Sequence, residues 1–251
     1  MGLTPEVAID VKGIGFRYPG NPDVSFNGLN LQVNKGDRFG LFGPNGAGKT
    51  TLISLMTGLL TADEGTIELL GQNINGSKGA VNKLFGFIPQ DFSFYHELSP
   101  VENLEFFGAW SGLDKIAIKH RTDELLTILG LNHVRNKQVE KFSGGMKRRV
   151  NLAIGVIHNP PILFLDEPTV GVDVQTGRAI IDYLLALNKT GTTLVYTSHQ
   201  LNEAEDLCKE VALIDGGQII ARDSLEHLLK THNHKNLEQM FLSLTGKEYR
   251  N

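Results

Sequence analysis

Phe39-Gly40-Leu41-Phe42-Gly43-Pro44-Asn45-Gly46-Ala47-Gly48-Lys49-Thr50-Thr51-Leu52 runs from a short apolar stretch into a glycine-rich segment and out into a helical pattern. Gly43 to Thr50 fits G-x-x-x-x-G-K-[ST]. Glycines in such a loop allow tight turning, so that successive backbone N–H groups point inward and cradle phosphate oxygens. Asn45, Gly46, Ala47, Gly48, Lys49, Thr50 and Thr51 are therefore the candidate nucleotide contacts. Lys49 would reach the β- and γ-phosphates, and the Thr50 hydroxyl would ligate Mg²⁺. The bland alternative is a glycine-rich turn beside a lysine, and context separates the two. Phe39–Phe42 reads as a strand, and Leu52, Leu55, Met56 and Leu59 mark one face of a helix beginning near Gly48. The N-terminus of that helix adds partial positive charge at the same place.

Working outward, Val7, Ile9 and Val11, then Leu29, Leu31 and Val33, alternate as half-buried strands do, with a turn predicted over residues 20–23. A further turn and strand are expected over residues 62–74. From Asp91 to about Lys141 the pattern is helical. Ser99-Pro100-Val101-Glu102 combines an N-cap, a proline at the first helical position and a capping-box glutamate, while Gly130 is placed to end a second helix. Ile162–Leu165, Thr192–Thr197 and Val211–Ile214 read as short buried strands, with a helix between the first two marked by Ile180, Tyr183, Leu184 and Leu187. Asp215-Gly216-Gly217 predicts a closing hairpin. Strands alternating with helices imply an α/β fold with a mainly parallel sheet.

The 251 residues carry 24 Lys and Arg against 28 Asp and Glu, a formal net charge of −4, which argues against holding nucleic acid by bulk positive charge. Cys208 is the single cysteine and reads as a small buried apolar residue, compatible with a reducing compartment. No segment approaches the roughly 18–20 apolar residues of a membrane span. The N-terminus lacks the basic and apolar regions of a secretory signal. A cytoplasmic protein is expected, with any membrane role supplied by a partner chain. His232 and His234 lie in a polar stretch that reads as a solvated linker.

Pro160-Pro161-Ile162-Leu163-Phe164-Leu165 delivers Asp166 and Glu167 at the end of a buried strand, where open parallel sheets bind ligands. Adjacent side chains diverge there, so the two acids can divide the work. Asp166 would hold hydrated Mg²⁺, and Glu167 would polarise an attacking water. The alternative for this segment alone is two exposed acids capping a strand.

Phe142-Ser143-Gly144-Gly145-Met146-Lys147 adds a second phosphate-ready terminus. Ser143 can cap the helix that follows, and Gly144 and Gly145 permit close backbone approach. This segment resembles the signature motif of the ATP-binding-cassette family, and the order of the other motifs agrees over essentially the whole chain. The resemblance implies an ATPase with a phosphate-loop NTPase core, an N-terminal antiparallel β-subdomain and an inserted α-helical subdomain. The core and β-subdomain would take about residues 1–90 and 142–225 of a single domain, the helical subdomain about 91–141, and a short tail 226–251. It implies ATP and Mg²⁺ as ligands and a head-to-tail homodimer. Lys49 of one chain would then face Ser143 and Gly145 of the other.

Further roles follow from the same resemblance. Tyr18 matches the aromatic platform for adenine, and Gln90 the loop glutamine that joins Mg²⁺ and water to the helical subdomain. Asp173 matches the aspartate that communicates across the dimer, and His199 the switch histidine that contacts the γ-phosphate. Met146 departs from the family's usual glutamine and cannot offer its amide hydrogen bonds. Gly144-Gly145-Met146-Lys147-Arg148-Arg149 and the tail 237–247 resemble the exporter subgroup. A separate transmembrane permease is therefore implied as partner, with this chain attached at the inner membrane face and no role for nucleic acid. The alternative within the superfamily is a soluble ATPase acting on a ribosome, DNA or a protein complex. Phe92, Phe94 and Tyr95 either dock the membrane partner or pack locally.

Overall fold

The computed structural model describes residues 6–76, 78–198 and 201–245. Strands β1 (Val7–Tyr18) and β2 (Asn21–Asn34) form an antiparallel hairpin. The turn predicted over residues 20–23 is shorter: β2 already pairs at Asn21, opposite Tyr18, leaving only Pro19 and Gly20 to reverse the chain. Ile9, Val11, Leu29, Leu31 and Val33 are all buried, as their alternation requires.

β3 (Arg38–Phe42) leads through the glycine-rich loop into helix α1 (Lys49–Met56). α1 stops before the predicted Leu59. Gly58 adopts φ 71°, the amides of Leu59 and Leu60 turn back to the Ser54 carbonyl, and Leu59 is left 65% exposed. A left-handed glycine ends a helix without steric cost. Strands β4 (Glu64–Leu69) and β5 (Gln72–Asn73) complete a four-stranded sheet of order β2-β1-β4-β5.

After the short helix α2 (Lys78–Val81) and strand β6 (Phe85–Ile88), the helical stretch expected from Asp91 begins only at Ser99. Residues 91–98 are irregular because the buried Asn103 side chain takes both the N–H and the carbonyl of Tyr95. α3 (Pro100–Trp110) then opens on the full capping box: Ser99 N–H donates to Glu102 at 2.8 Å, and Glu102 N–H donates to Ser99 Oγ at 3.3 Å. α4 (Lys115–Ile128) ends two residues before Gly130, and two 3₁₀ turns lead on to α5 (Gly144–Val156).

The remaining elements are β7 (Ile162–Asp166), α6 (Val174–Lys189), β8 (Thr193–Ser198), α7 (Leu201–Leu207), β9 (Glu210–Asp215), β10 (Gln218–Ser224), α8 (Leu225–Thr231) and α9 (Leu237–Thr245). They build a six-stranded sheet of order β10-β9-β3-β8-β7-β6, parallel except for the β10 edge. Along β7, Ile162 and Phe164 join the core shared with β1, β2 and α1, whereas Leu163 and Leu165 join the core under α5 and α6. Both faces of the sheet are covered, which is why β7 reads as an unbroken apolar run. Phe42 pairs with Ser198 and Asp166 with Thr197, so β3, β8 and β7 end at one level. The glycine-rich loop and the carboxylate pair both leave from that edge.

Candidate active site

The glycine-rich loop sits between β3 and α1 with little room to spare. A Cβ on Gly43 would lie 2.1 Å from the Ile214 carbonyl oxygen of β9, so only glycine fits there. Gly48 caps α1 at φ 106°, turning the chain from loop to helix. The Gly217 N–H, from the β9–β10 hairpin, donates to the Ala47 carbonyl at 3.1 Å and buttresses the loop from outside. Lys49 is buried at 6% exposure, and its Nζ donates to the Gly43 carbonyl at 2.7 Å and the Pro44 carbonyl at 3.1 Å. Burial lowers its pKa, while Glu167 and Asp166 nearby push it upward. The ammonium is thus held inside the curl of the loop, close to both acids.

Asn45, Gly46, Gly48, Lys49, Thr50, Thr51, Gln90 and Glu167 line one cavity of about 370 Å³. A groove of about 560 Å³ between α4, α6 and the α5–β7 loop is larger but lacks this set of phosphate-directed groups. Chemistry, not volume, picks the site. Tyr18 borders it: its hydroxyl shares a 3.2 Å hydrogen bond with Thr51 Oγ1, and its ring meets Phe16 edge-on at 5.0 Å.

Asp166 is 2% exposed. Thr197 Oγ1 donates to it at 2.5 Å, the Thr50 side chain also hydrogen-bonds it, and burial raises its pKa. Thr50 and Asp166 together present hard oxygen ligands of the kind Mg²⁺ takes. Among the described residues no cluster of three or more His, Cys, Asp or Glu could hold a metal alone. Glu167 adopts φ 52°, left-handed for a residue with a side chain, and its N–H donates to the Thr197 carbonyl at 3.1 Å. Such backbone costs on the order of 1–3 kcal/mol and persists where the surroundings enforce it. It turns Glu167 away from the Asp166 environment and into the cavity wall.

Asp166→Asn is expected to raise the melting temperature of the nucleotide-free chain at neutral pH. The amide oxygen still accepts from Thr197, and the buried charge is gone. A carboxyl whose folded-state pKa is raised loses its stability contribution as pH climbs through that value. The gain from Asn therefore shrinks as pH falls toward the ordinary Asp value of 3.8. Thermal melts at stepped pH check this; a variant that melts below the wild type at pH 7 contradicts it.

Ser143 is exposed and caps α5, its Oγ accepting from the Met146 N–H at 3.3 Å. Gly145 packs against Thr176, where an added Cβ would come within 3.1 Å of that side chain. Asp173 caps α6, accepting from Thr176 N–H at 2.9 Å and Thr176 Oγ1 at 2.8 Å, and these bonds hold its pKa below the usual value. Within one chain Ser143, Gly145 and Asp173 do not line the phosphate-loop cavity; they form a second, separate surface. His199 lies outside the described residues. Two residues around the site are given no role by the sequence: Thr197, at the end of a predicted strand, and Arg148, which lies within the stretch 144–149. A strand threonine carries no pattern, but Arg148 carries a signal: it shares the helix stripe of Leu152, Gly155 and Val156, all buried.

The family model described as ABC transporter matches residues 26–170. The linearmycin resistance ATP-binding protein LnrL of Bacillus subtilis (strain 168) is 42% identical over 194 residues, covering 77% of this chain and 62% of that protein. Nod factor export ATP-binding protein I of Ralstonia nicotianae is 38% identical over 232 residues, covering 92% of this chain and 71% of that protein. The chain thus spans about two thirds of the length of these relatives. A solved structure described as the ATP binding subunit of an ABC transporter superposes with a TM-score of 0.87 at 24% identity, over 95% of this chain and 99% of that one. At that identity the likeness speaks for the fold.

Proposed function

The chain belongs to the ABC transporter family of ATPases, and from that premise we propose that it is the ATP-hydrolysing subunit of an exporter. Two copies would close head to tail over two ATP molecules. One observation carries this reading: the phosphate-loop cavity and the capped N-terminus of α5 are separate surfaces in a single chain, so each is half a site. Relatives concerned with linearmycin resistance and Nod factor export support the exporter assignment.

In this mechanism Lys49 leaves the Gly43 and Pro44 carbonyls for the β- and γ-phosphates. The N–H groups from Asn45 to Thr51 cradle the same oxygens, and Tyr18 offers its ring to adenine. Mg²⁺, when bound, supplies positive charge on the phosphates. Thr50 and Asp166 are the residues that would hold it, with Gln90 at its rim. Glu167 accepts a proton from, or orients, the water that attacks the γ-phosphorus, and His199 contacts the transferred phosphoryl group. Fixed positive groups around developing charge are the main source of acceleration in such reactions. Ser143 and Gly145 of the second chain close the far side, and Asp173 faces its counterpart's site across the dimer.

Among the described residues no helix is long and apolar enough to cross a membrane. In this reading coupling runs through a separate membrane subunit at the inner membrane face. The candidate docking patch at Phe92, Phe94 and Tyr95 is displaced. Phe94 is buried and stacks on Phe92, which lies beneath Arg148, leaving Tyr95 exposed beside Phe106. A groove of about 470 Å³, lined by Leu59, Phe87, Phe107, Trp110 and His158 among others, opens next to them. Trp110 is 79% exposed and is the chain's single tryptophan, so its emission reports this groove alone. After subtraction of the membrane protein's own emission, adding the detergent-solubilised membrane protein that co-purifies with the chain is expected to shift the Trp110 emission to the blue. Trp110→Ala should weaken binding about tenfold or more, as loss of an aromatic anchor does. Unchanged emission on formation of the complex contradicts docking here.

A further inference from the structure

α5, capped by Ser143, carries on its inner face two polar side chains that an apolar helix stripe does not call for. Arg148 is 4% exposed and Asn151 is 1% exposed. Asn151 Oδ1 accepts from the Ser93 N–H at 3.2 Å and from Ser93 Oγ at 3.1 Å, and its Nδ2 donates to the Pro89 carbonyl at 3.3 Å. Asn151 therefore grips the segment on either side of Gln90.

Arg148 reaches further. Its Nη1 donates to the Gln90 carbonyl at 2.8 Å and the Pro89 carbonyl at 3.4 Å. Its Nη2 donates to the Val170 carbonyl at 3.1 Å, and its guanidinium lies 4.9 Å over the Phe92 ring. Val170 N–H in turn donates to the Glu167 carbonyl at 3.2 Å, closing the turn that follows the strained Glu167. One guanidinium thus ties the loop of Gln90, the turn of Glu167 and the helix of Ser143. The planar fork of arginine can serve two loops at once; a lysine ammonium, a point charge on a flexible stem, cannot hold the same geometry.

Stability alone does not explain this residue. Among the described residues Arg148 makes no ion pair, and its Nε is buried without a hydrogen-bond partner. A buried cation whose direct contacts are carbonyls and a ring face, with Asp91 and Glu167 offsetting only part of the cost of burial and one donor unused, is an unfavourable way to fill a core position. An apolar side chain would pack there at less cost.

We propose that Arg148 is a positioning residue for hydrolysis: its guanidinium makes the Gln90 loop, the turn after Glu167 and the Ser143 helix move as one body. The proposal rests on the ATPase reading above and assigns within it a residue that does not line the phosphate-loop cavity. When the second nucleotide contact engages Ser143, the same clip carries that displacement to Gln90 and Glu167.

The test uses the full chain and four variants, Arg148→Gln, Arg148→Lys, Asn151→Ala and Gln90→Ala. In amide hydrogen exchange without nucleotide, Arg148→Gln is expected to speed exchange at both 90–92 and 170–172 while α5 stays protected. Asn151→Ala should speed only the first segment. With Mg·ATP, Arg148→Gln should lower kcat about a hundredfold, the size expected of a reacting geometry misplaced by about 1 Å, and leave KM for ATP nearly unchanged. Arg148→Lys should not rescue kcat, and it serves in place of Arg148→Gln if that variant does not fold. Combined with Gln90→Ala, the Arg148 substitution should add little, because both act through one loop. Exchange unchanged at 170–172, rescue by lysine, or effects that multiply would each overturn the proposal. Wild-type turnover in the same assay tests the ATPase reading separately.

Discussion

Glu167→Gln should leave ATP binding intact and lower turnover about a thousandfold. Gln is close in shape to Glu and fits the same 7%-exposed position, so neither the strained turn nor the cavity is disturbed. What is lost is a carboxylate that can take or polarise a proton, a contribution that typically spans about 10²–10⁴-fold. Lys49, Thr50 and the loop amides are untouched, so the affinity for ATP with Mg²⁺ should stay within about twofold. Near-normal turnover would remove Glu167 from the role of base. The variant also accumulates the ATP-bound state, which makes it the background for the next prediction.

Ser143→Asp should fold and melt like the wild type, bind ATP through its own phosphate loop, and neither dimerise nor hydrolyse. Aspartate caps helices about as well as serine, so the bond from Ser143 Oγ to the Met146 N–H has a ready replacement. Because Ser143 is exposed and faces no acid in its own chain's phosphate-loop cavity, the new charge costs little in the monomer. Across a dimer interface it would meet the γ-phosphate of the other chain's ATP. Like charges brought together in an interface cost several kcal/mol. Equilibrium ATP binding and turnover measured on the same preparation separate the two effects. A Ser143→Asp chain that hydrolyses ATP at the wild-type rate contradicts a role for α5 in the site.

Much of this arrangement is legible in the sequence, because the decisive groups come in short, contiguous runs whose geometry is local. The loop from Gly43 to Thr50 is marked by its own glycines and the helix it opens, and the capping box at Ser99 needs only the next three residues. The alternation through β1 and β2, and the unbroken apolar run of β7, likewise report which faces are covered. Sequence and fold part company where a distant or single residue decides the outcome. Gly58 ends α1 before Leu59, although the apolar spacing continues past it. Asn103 reaches back to Tyr95 and keeps residues 91–98 out of a helix, a side-chain-to-backbone competition that periodicity does not register. Thr197 and Arg148 act on Asp166 and Gln90 from about 30 and 60 positions away, and only the register of the sheet and the packing of α5 bring them there. The left-handed backbone at Glu167 has no sequence signal at all, since glutamate is not a residue chosen for positive φ.

The central claim is that one chain holds half of each nucleotide site. Light scattering on size-separated Glu167→Gln protein with saturating Mg·ATP measures it directly. The expected result is a species of twice the chain's mass that reverts to a single chain with ADP, and also when Ser143→Asp is added. A single-chain mass at saturating ATP, or a dimer indifferent to Ser143→Asp, contradicts it.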